Sequence, residues 1–183
     1  MLDGHEDQNH NGALDPGETN PLASDTDGDG VQDGTEMGLT APEGVSTSST
    51  SFVPDRDPAS TTAPTVADTD GDGLSDGAED VNHDGRAGAI ETDPNDEESD
   101  DDGVVDGQER QVFADSDGDG LINGLDADSD DDGILDGTEQ GVTVASPGTD
   151  TSRGAFVPDA DTSSTTDPLL ADTDRGGVAD GVE

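Results

Sequence analysis

One pattern limits what this chain can fold into more than any other: the twelve-residue run D-x-D-x-D-G-x-x-D-G-x-E, written again and again. Good copies start at Asp25 (DTDGDGVQDGTE), Asp68 (DTDGDGLSDGAE) and Asp128 (DSDDDGILDGTE). Asp115 opens a variant ending on Asp126 (DSDGDGLINGLD), and Glu98 opens one with Glu in first place (ESDDDGVVDGQE). Asp7 opens an asparagine version (DQNHNGALDPGE) and Asp80 a looser one (DVNHDGRAGAIE). Asp172 opens a damaged copy (DTDRGGVADGVE), with Gly176 in the fifth position. Aspartate is frequent here, yet a strict D-x-D-x-D-G should arise by accident only ~0.2 times. A longer repeat lies on top: GTEMGLT matches GTEQGVT, SFVPDRD matches AFVPDAD, and DGHEDQNHNG at 3–12 matches DGAEDVNHDG at 76–85. Both termini therefore fall inside the repeat, as expected of a segment of a longer array or of a subunit that abuts another copy.

The pattern carries an electrostatic problem. The formal net charge is -43, from 48 Asp+Glu against 5 Lys+Arg. Two carboxylates ~5 Å apart repel by roughly 3 kcal/mol at an effective dielectric of ~20. The chain is thus either extended and solvated, or it binds cations. With 26% hydrophobic residues and Phe52, Phe113 and Phe156 as its aromatics, it has too little apolar material for one core, and composition alone predicts disorder. The acidic sign argues against nucleic acid and against anionic membranes. There is no cysteine, hence no disulfide or thiolate site. No apolar run approaches the length of a membrane span, so no membrane insertion is expected.

The spacing solves the charge problem if the ion is calcium. Ca²⁺ takes six to eight oxygens in flexible geometry, and a short loop supplies them by curling round it. Positions 1, 3 and 5 turn their side chains inward, glycine at 6 permits the sharp turn, position 7 offers a carbonyl, and an acid at 12 closes the shell. In one loop this gives Asp68, Asp70, Asp72, the carbonyl of Leu74, and Glu79, with Asp76 at position 9 binding directly or through water. The same places hold Asp25, Asp27, Asp29, Val31, Asp33 and Glu36, and then Glu98, Asp100, Asp102, Val104, Asp106 and Glu109. They hold Asp115, Asp117, Asp119, Leu121, Asn123 and Asp126, and again Asp128, Asp130, Asp132, Ile134, Asp136 and Glu139. The asparagine loop offers Asp7, Asn9, Asn11, Ala13, Asp15 and Glu18, preceded by Asp3 and Glu6 as the back half of another. The weaker loops offer Asp80, Asn82, Asp84, Arg86 and Glu91, with Gly88 at position 9, and Asp172, Asp174, Val178, Asp180 and Glu183. Eight loops imply about eight or more ions. Magnesium would demand stricter octahedra, and zinc would want His or Cys. His5, His10 and His83 are scattered and read as solvated loop residues.

An EF-hand has the same arithmetic but needs a flanking helix on each side. Asp80 follows Glu79 directly, and only Ala127 separates Asp126 from Asp128. There is no room for helices, and a dockerin module fails on the same ground. Back-to-back loops without helices resemble the thrombospondin type 3 repeat family, in its cysteine-free bacterial surface form. The resemblance covers most of residues 3–36, 68–139 and 172–183. It implies an irregular, elongated, calcium-stabilised repeat rod with little regular secondary structure, in which metal replaces a hydrophobic core. The animal repeats carry disulfides, so order here should depend more completely on metal.

The expected organisation is calcium loops at 1–39, a Ser/Thr/Pro-rich insert at 40–66, tandem loops at 67–142, a second insert at 143–170 and a terminal loop at 171–183. Val31, Leu74, Val104, Leu121 and Ile134 at position 7 should pack against neighbouring loops as miniature cores. The inserts should be extended polar chain or short β-strands, able to carry O-linked sugar, with Phe52 and Phe156 as anchors. Asp55, Asp57, Asp159 and Asp161 could add ligands to an adjacent ion. Catalysis is not expected, since no nucleophile set, phosphate loop or apolar pocket wall is present. The expected function is that of an extracellular or cell-surface structural protein, a stalk or filament segment with calcium and further copies of itself as partners. A calcium-dependent adhesion module whose inserts meet a partner or glycan, and a disordered acidic calcium buffer, are the alternatives.

Overall fold

The computed structural model describes residues 3–43 and 50–182. Among them regular secondary structure is sparse and there is no strand. Four single-turn α-helices, Asp3–Glu6, Asp33–Glu36, Asp76–Glu79 and Asp136–Glu139, are joined by three 3-10 turns, Asp106–Gln108, Asn123–Leu125 and Asp180–Val182. All of them sit on the D-G-x-E end of a repeat, or on its N-G-L-D variant at 123. The rest of each loop cannot be helical, because it alternates into left-handed backbone. Position 6 is always a glycine with φ between +74° and +115°. Position 4 is left-handed too. Where a glycine stands there, φ reaches +85° or +86°; where His10, His83, Asp101, Asp131 or Arg175 stands there, φ stays between +53° and +68°. That narrower range is the one L-residues tolerate, and Asp and His enter it most readily.

The chain divides into two compact units, Met1–Gly88 with Asp93–Asn95, and Ala89–Thr92 with Asp96–Glu183. Neither has an ordinary core. Among the described residues the buried hydrophobics are Val31, Val104 and Ile122, whereas the largest fully buried side chains are Glu36, Glu79, Glu98 and Glu139. Val31 and Val104 thus pack as expected of position 7. Leu121 does not: it is 43% exposed, and Ile122 is buried in its place. The cause is local. Residues 110–114 fold over the loop, with Asn123 Nδ2 donating to the carbonyls of Arg110 and Gln111 and the Gly124 amide to Val112, which turns position 8 inward.

The short β-strands expected of the inserts do not form over the described residues; 44–49 lie outside them. Both inserts instead fold as ordered turns with matching contacts, because aspartate carboxylates capture amides that a strand would need for its neighbour. Asp55 and Asp159 each donate their amide to a carbonyl, of Leu39 and Val142, at 2.8 Å. Each accepts the amide two residues on, from Asp57 and Asp161. Thr35 Oγ1 donates to Val53 O, and Thr138 Oγ1 to Val157 O. The phenylalanines do anchor the inserts: a Cβ on Gly34 would stand 3.0 Å from Phe52, and one on Gly103 2.5 Å from Phe156.

Candidate metal centres

Position 9 closes six of the eight loops. Its amide donates to the carbonyl just before the loop: Asp33 to Ser24, Asp76 to Ala67, Asp106 to Glu97, Asn123 to Ala114, Asp136 to Ala127 and Asp180 to Ala171. Its side chain accepts from position 2. Asp33 takes the amide of Thr26 at 2.7 Å and its hydroxyl at 2.8 Å; Asp76 takes both from Thr69, and Asp106 both from Ser99. Ser116, Ser129 and Thr173 make the amide bond to Asn123, Asp136 and Asp180. Two loops lack the device. Val81 and Gly88 cannot form it, and in the asparagine loop Asp15 accepts the side-chain amides of Asn9 at 2.8 Å and Asn11 at 2.6 Å instead.

Position 1 organises the turn. The two oxygens of Asp25 take the amides of Gly28 and Gly30, those of Asp7 take Asn11 and Gly12, and those of Asp128 take Asp132 and Gly133. Position 5 accepts the amide of position 7, as in Asp29 to Val31, Asp72 to Leu74, Asp102 to Val104, Asp119 to Leu121 and Asp132 to Ile134. Positions 3 and 12 are different. Both oxygens of Asp27, and one each of Asp70, Asp100, Asp130, Glu36, Glu109 and Glu139, are buried with no hydrogen-bond partner. Glu98, Asp102 and Asp136 each hold one such oxygen as well. Orphaned buried carboxylate oxygens are costly, and here they recur at the positions that face inward.

Their protonation equilibria register the same strain. Burial, then the charges of Asp27 and Asp29, pushes Glu36 up to about 8. Burial raises Glu139 to about 8 and Glu109 to about 9, with neighbouring aspartates adding to it. Burial also lifts Asp70 to about 6 and Asp130 to about 7.

Several carboxylates converge closely enough to hold one metal ion, with oxygens within 4.8 Å of one another: Asp25, Asp27 and Asp29; Asp68, Asp70 and Asp72; Glu98, Asp100 and Asp102; and Asp29, Glu36 and Asp76. The last group regroups the expected set. Glu36 meets Asp29 of its own loop but Asp76 from position 9 of the next, while Asp33 faces Thr26. The loops are pressed together at this point. The Gly77 amide donates to Asp29 Oδ2 at 3.0 Å, and a Cβ on Gly77 would collide with the Asp29 carbonyl. Gly137 lies the same way on Asp102, and Gly181 on Asp132 with its amide 2.8 Å from Oδ2.

The other expected ligands are placed less uniformly. Asp115, Asp117 and Asp119 are exposed, with Asp126 half-buried and raised by burial and then by the charges of Asp119 and Asp117. Glu6, Glu18, Glu79, Asp80 and Glu91 are buried, whereas Asn82, Arg86 and Val178 are exposed. Glu18 accepts the amides of Asn9 and Asp15. In the damaged loop Asp172 and Asp174 bond the Gly176 amide, and position 5 offers no carboxylate. Asp3 opens the first helical turn, and Glu183 lies outside the described residues. His83 is not solvated: Nε2 lies 3.1 Å from the Gly77 carbonyl and the ring covers Gly30.

The sequence reading missed the inserts' role at position 12. Thr62 Oγ1 donates to Glu36 at 3.1 Å and Thr166 Oγ1 to Glu139 at 2.7 Å. Asp55 and Asp159 each keep one buried oxygen without a partner. Among the described residues no helix is long and apolar enough to cross a membrane. No family model, curated protein or solved structure matches the chain.

Proposed function

We propose that this protein is an extracellular, calcium-binding structural segment of stalk or filament type, ordered by tandem Ca²⁺ loops, as its resemblance to thrombospondin type 3 repeats implies. The observation that carries this reading is the set of orphaned, buried carboxylate oxygens at positions 3 and 12. A free polyanion acting as a buffer would leave them in water. All donors are hard oxygens, which suits Ca²⁺, and extracellular calcium near millimolar fills even modest sites and stabilises by mass action. About eight ions would add roughly sixteen positive charges to a formal -43, leaving the segment acidic and self-repelling sideways. The chain is read as a non-enzyme. Equilibrium dialysis with elemental analysis should find about eight or more Ca²⁺ per chain, and small-angle scattering should show expansion on chelation; a chain that binds none overturns the reading.

A specific contrast supports joining end to end. In the first unit, residues 80–88 cover the insert and the turn beside it: Thr35 is 1% exposed, and a Cβ on Gly85 would lie 2.5 Å from Asp55 and 3.0 Å from Thr35. The matching surface of the second unit is uncovered, with Val157 50% exposed, and the matching loop at 7–18 is bare, with nothing within 4 Å of Gly12. The ion pair of Arg56 with Asp84 becomes Ala160 with Asn11, so both charges vanish together. We read loop 7–18 of a second copy as the cover for this surface, a heterologous contact between different faces of two copies. Sedimentation velocity should show calcium-dependent association that Asn11→Asp weakens and Asn11→Asp with Ala160→Arg restores.

A further inference from the structure

Position 4 is left over when the side chains at 1, 3, 5, 9 and 12 have been given their duties. Seven of the eight loops leave it exposed or, at His83, half-buried. Loop Glu98–Glu109 differs. Its position 4 is Asp101, 3% exposed, and the second insert takes both carboxylate oxygens. The Asp150 amide donates to Oδ1 at 2.5 Å, and Arg153 Nη1 donates to Oδ2 at 2.6 Å. The insert can bring two donors to one carboxylate because it turns tightly there. Asp150 Oδ1 accepts the Ser152 amide at 3.0 Å and its hydroxyl at 2.6 Å, and the Arg153 amide returns to the Asp150 carbonyl.

The contact continues on both sides of Asp101. Gly103, at position 6, is buried under the Phe156 ring, and a Cβ there would lie 2.5 Å from it. A Cβ on Gly148 would collide with Glu97, just before the loop, and Thr149 stands beside the Glu98 carboxylate. Residues 148–156 thus follow the loop from its entrance to its turn. In this loop Glu98 and Asp102 are 0% exposed, and Glu98, Asp100, Asp102 and Glu109 each keep a buried oxygen without a hydrogen-bond partner. Loop Asp115–Asp126 is the opposite case. Its residues 115–121 are exposed, and nothing lies within 4 Å of a Cβ built on Gly118 or Gly120.

We propose that residues 148–156 form a latch over loop Glu98–Glu109, fastened by the Arg153–Asp101 ion pair, that makes the calcium site of this loop occluded and slowly exchanging. The inference rests on the calcium reading above and adds a kinetic role for the second insert. The turn at positions 4–6 must unwind before a loop of this kind can let an ion go, a local opening. Here the opening must also break charge-assisted bonding to a carboxylate withdrawn from water and lift Gly103 off Phe156. Loop Asp115–Asp126 opens without either step. The latch acts on release more than on capture, as most differences in binding strength do.

The test is calcium release from the loaded chain into excess fluorescent chelator, followed by stopped flow and scored as ions released per chain. One ion should leave in a phase slower than the rest and well separated from them. Asp100→Asn removes a ligand of this loop, so it should lower the count by one and abolish that phase. Arg153→Gln should keep the count and speed the slow phase by about tenfold or more. Asp101→Gly should do the same, and it folds readily because it installs the residue found at position 4 in the loops of Gly28, Gly71 and Gly118. Asp131→Gly, the same change at position 4 of the next loop, should leave the slow phase as it is. A slow phase that survives Asp100→Asn, or that neither Arg153→Gln nor Asp101→Gly accelerates, overturns the latch. Equal acceleration by Asp131→Gly overturns it too. Release of a full count of ions at one rate removes the latch and leaves the calcium reading standing, whereas a chain that binds no Ca²⁺ fails that reading itself.

Discussion

Glu36 and Glu139 decide how a single residue couples this protein to pH. Each is 2% exposed, and each has its carboxyl raised from the ordinary 4.5 to about 8, first by burial and then by neighbouring aspartates. A raised carboxylate means that the folded, metal-free chain holds protons that the unfolded chain has released. Its contribution to stability is therefore full below about pH 4.5 and gone once pH passes about 8. Metal-free protein should be most ordered in acid and lose far-UV ellipticity across that window. Calcium must displace the same protons, so its apparent affinity, read by titration calorimetry, should rise with pH over the same range. A metal-free chain that stays ordered at alkaline pH would show that these carboxylates find relief elsewhere. The closing hydroxyls work at the same scale. Thr26→Ala removes one of two bonds to buried Asp33 and should lower the stability of the calcium form by about 1–3 kcal/mol, measured by denaturant unfolding at saturating calcium.

At the scale of the loop, the D-G pair at positions 9 and 10 carries two duties. Its aspartate closes its own loop, and its glycine lets that loop lie on the position-5 carbonyl of another. A Cβ has no room at Gly77 against Asp29 or at Gly137 against Asp102, and in both places the obstacle is backbone. Gly77→Ala or Gly137→Ala should lower the thermal midpoint by an amount corresponding to about 1–3 kcal/mol. Gly77→Ala should also disturb the carboxylate cluster of Asp29, Glu36 and Asp76, where the proposed ion would bind, which calcium titration would detect as one impaired site. Unchanged stability in both variants would mean that the loops are not pressed together there. Much of this loop was legible in the sequence. The alternation of acids at 1, 3 and 5 and the glycine at 6 follow from what a hard cation and a tight turn demand. The pairing of Thr or Ser at position 2 with an acid or amide at 9 was also written there, and it fails in step where Val81 meets Gly88. What the sequence could not give is which loop lies on which. The contacts of Gly77 with Asp29 and of Gly181 with Asp132 span 48 and 49 residues, and no local pattern encodes them. The inserts were illegible for a related reason. Their Thr62 and Thr166 acquire meaning only beside a buried glutamate from a distant turn.

For the molecule as a whole, the question is whether cations act by binding or merely by screening. Sodium chloride shortens the Debye length from about 8 Å at physiological strength to about 3 Å at 1 M. The converging carboxylate oxygens lie within 4.8 Å of one another and are largely withdrawn from solvent, where an ionic atmosphere reaches poorly. Screening therefore relieves repulsion between exposed loops such as that of Asp115, Asp117 and Asp119, but not inside the buried sets. Nor can apolar packing compensate, with Val31, Val104 and Ile122 as the buried hydrophobics among the described residues. Calcium-free protein in 1 M sodium chloride should stay expanded by small-angle scattering and exchange its amide protons freely. Millimolar Ca²⁺ at low salt should compact it and protect the amides of positions 7 and 9, which the loop carboxylates and carbonyls hold. Equal compaction by sodium chloride alone would mean that counter-ion screening, rather than coordination at positions 3, 5 and 12, orders the chain.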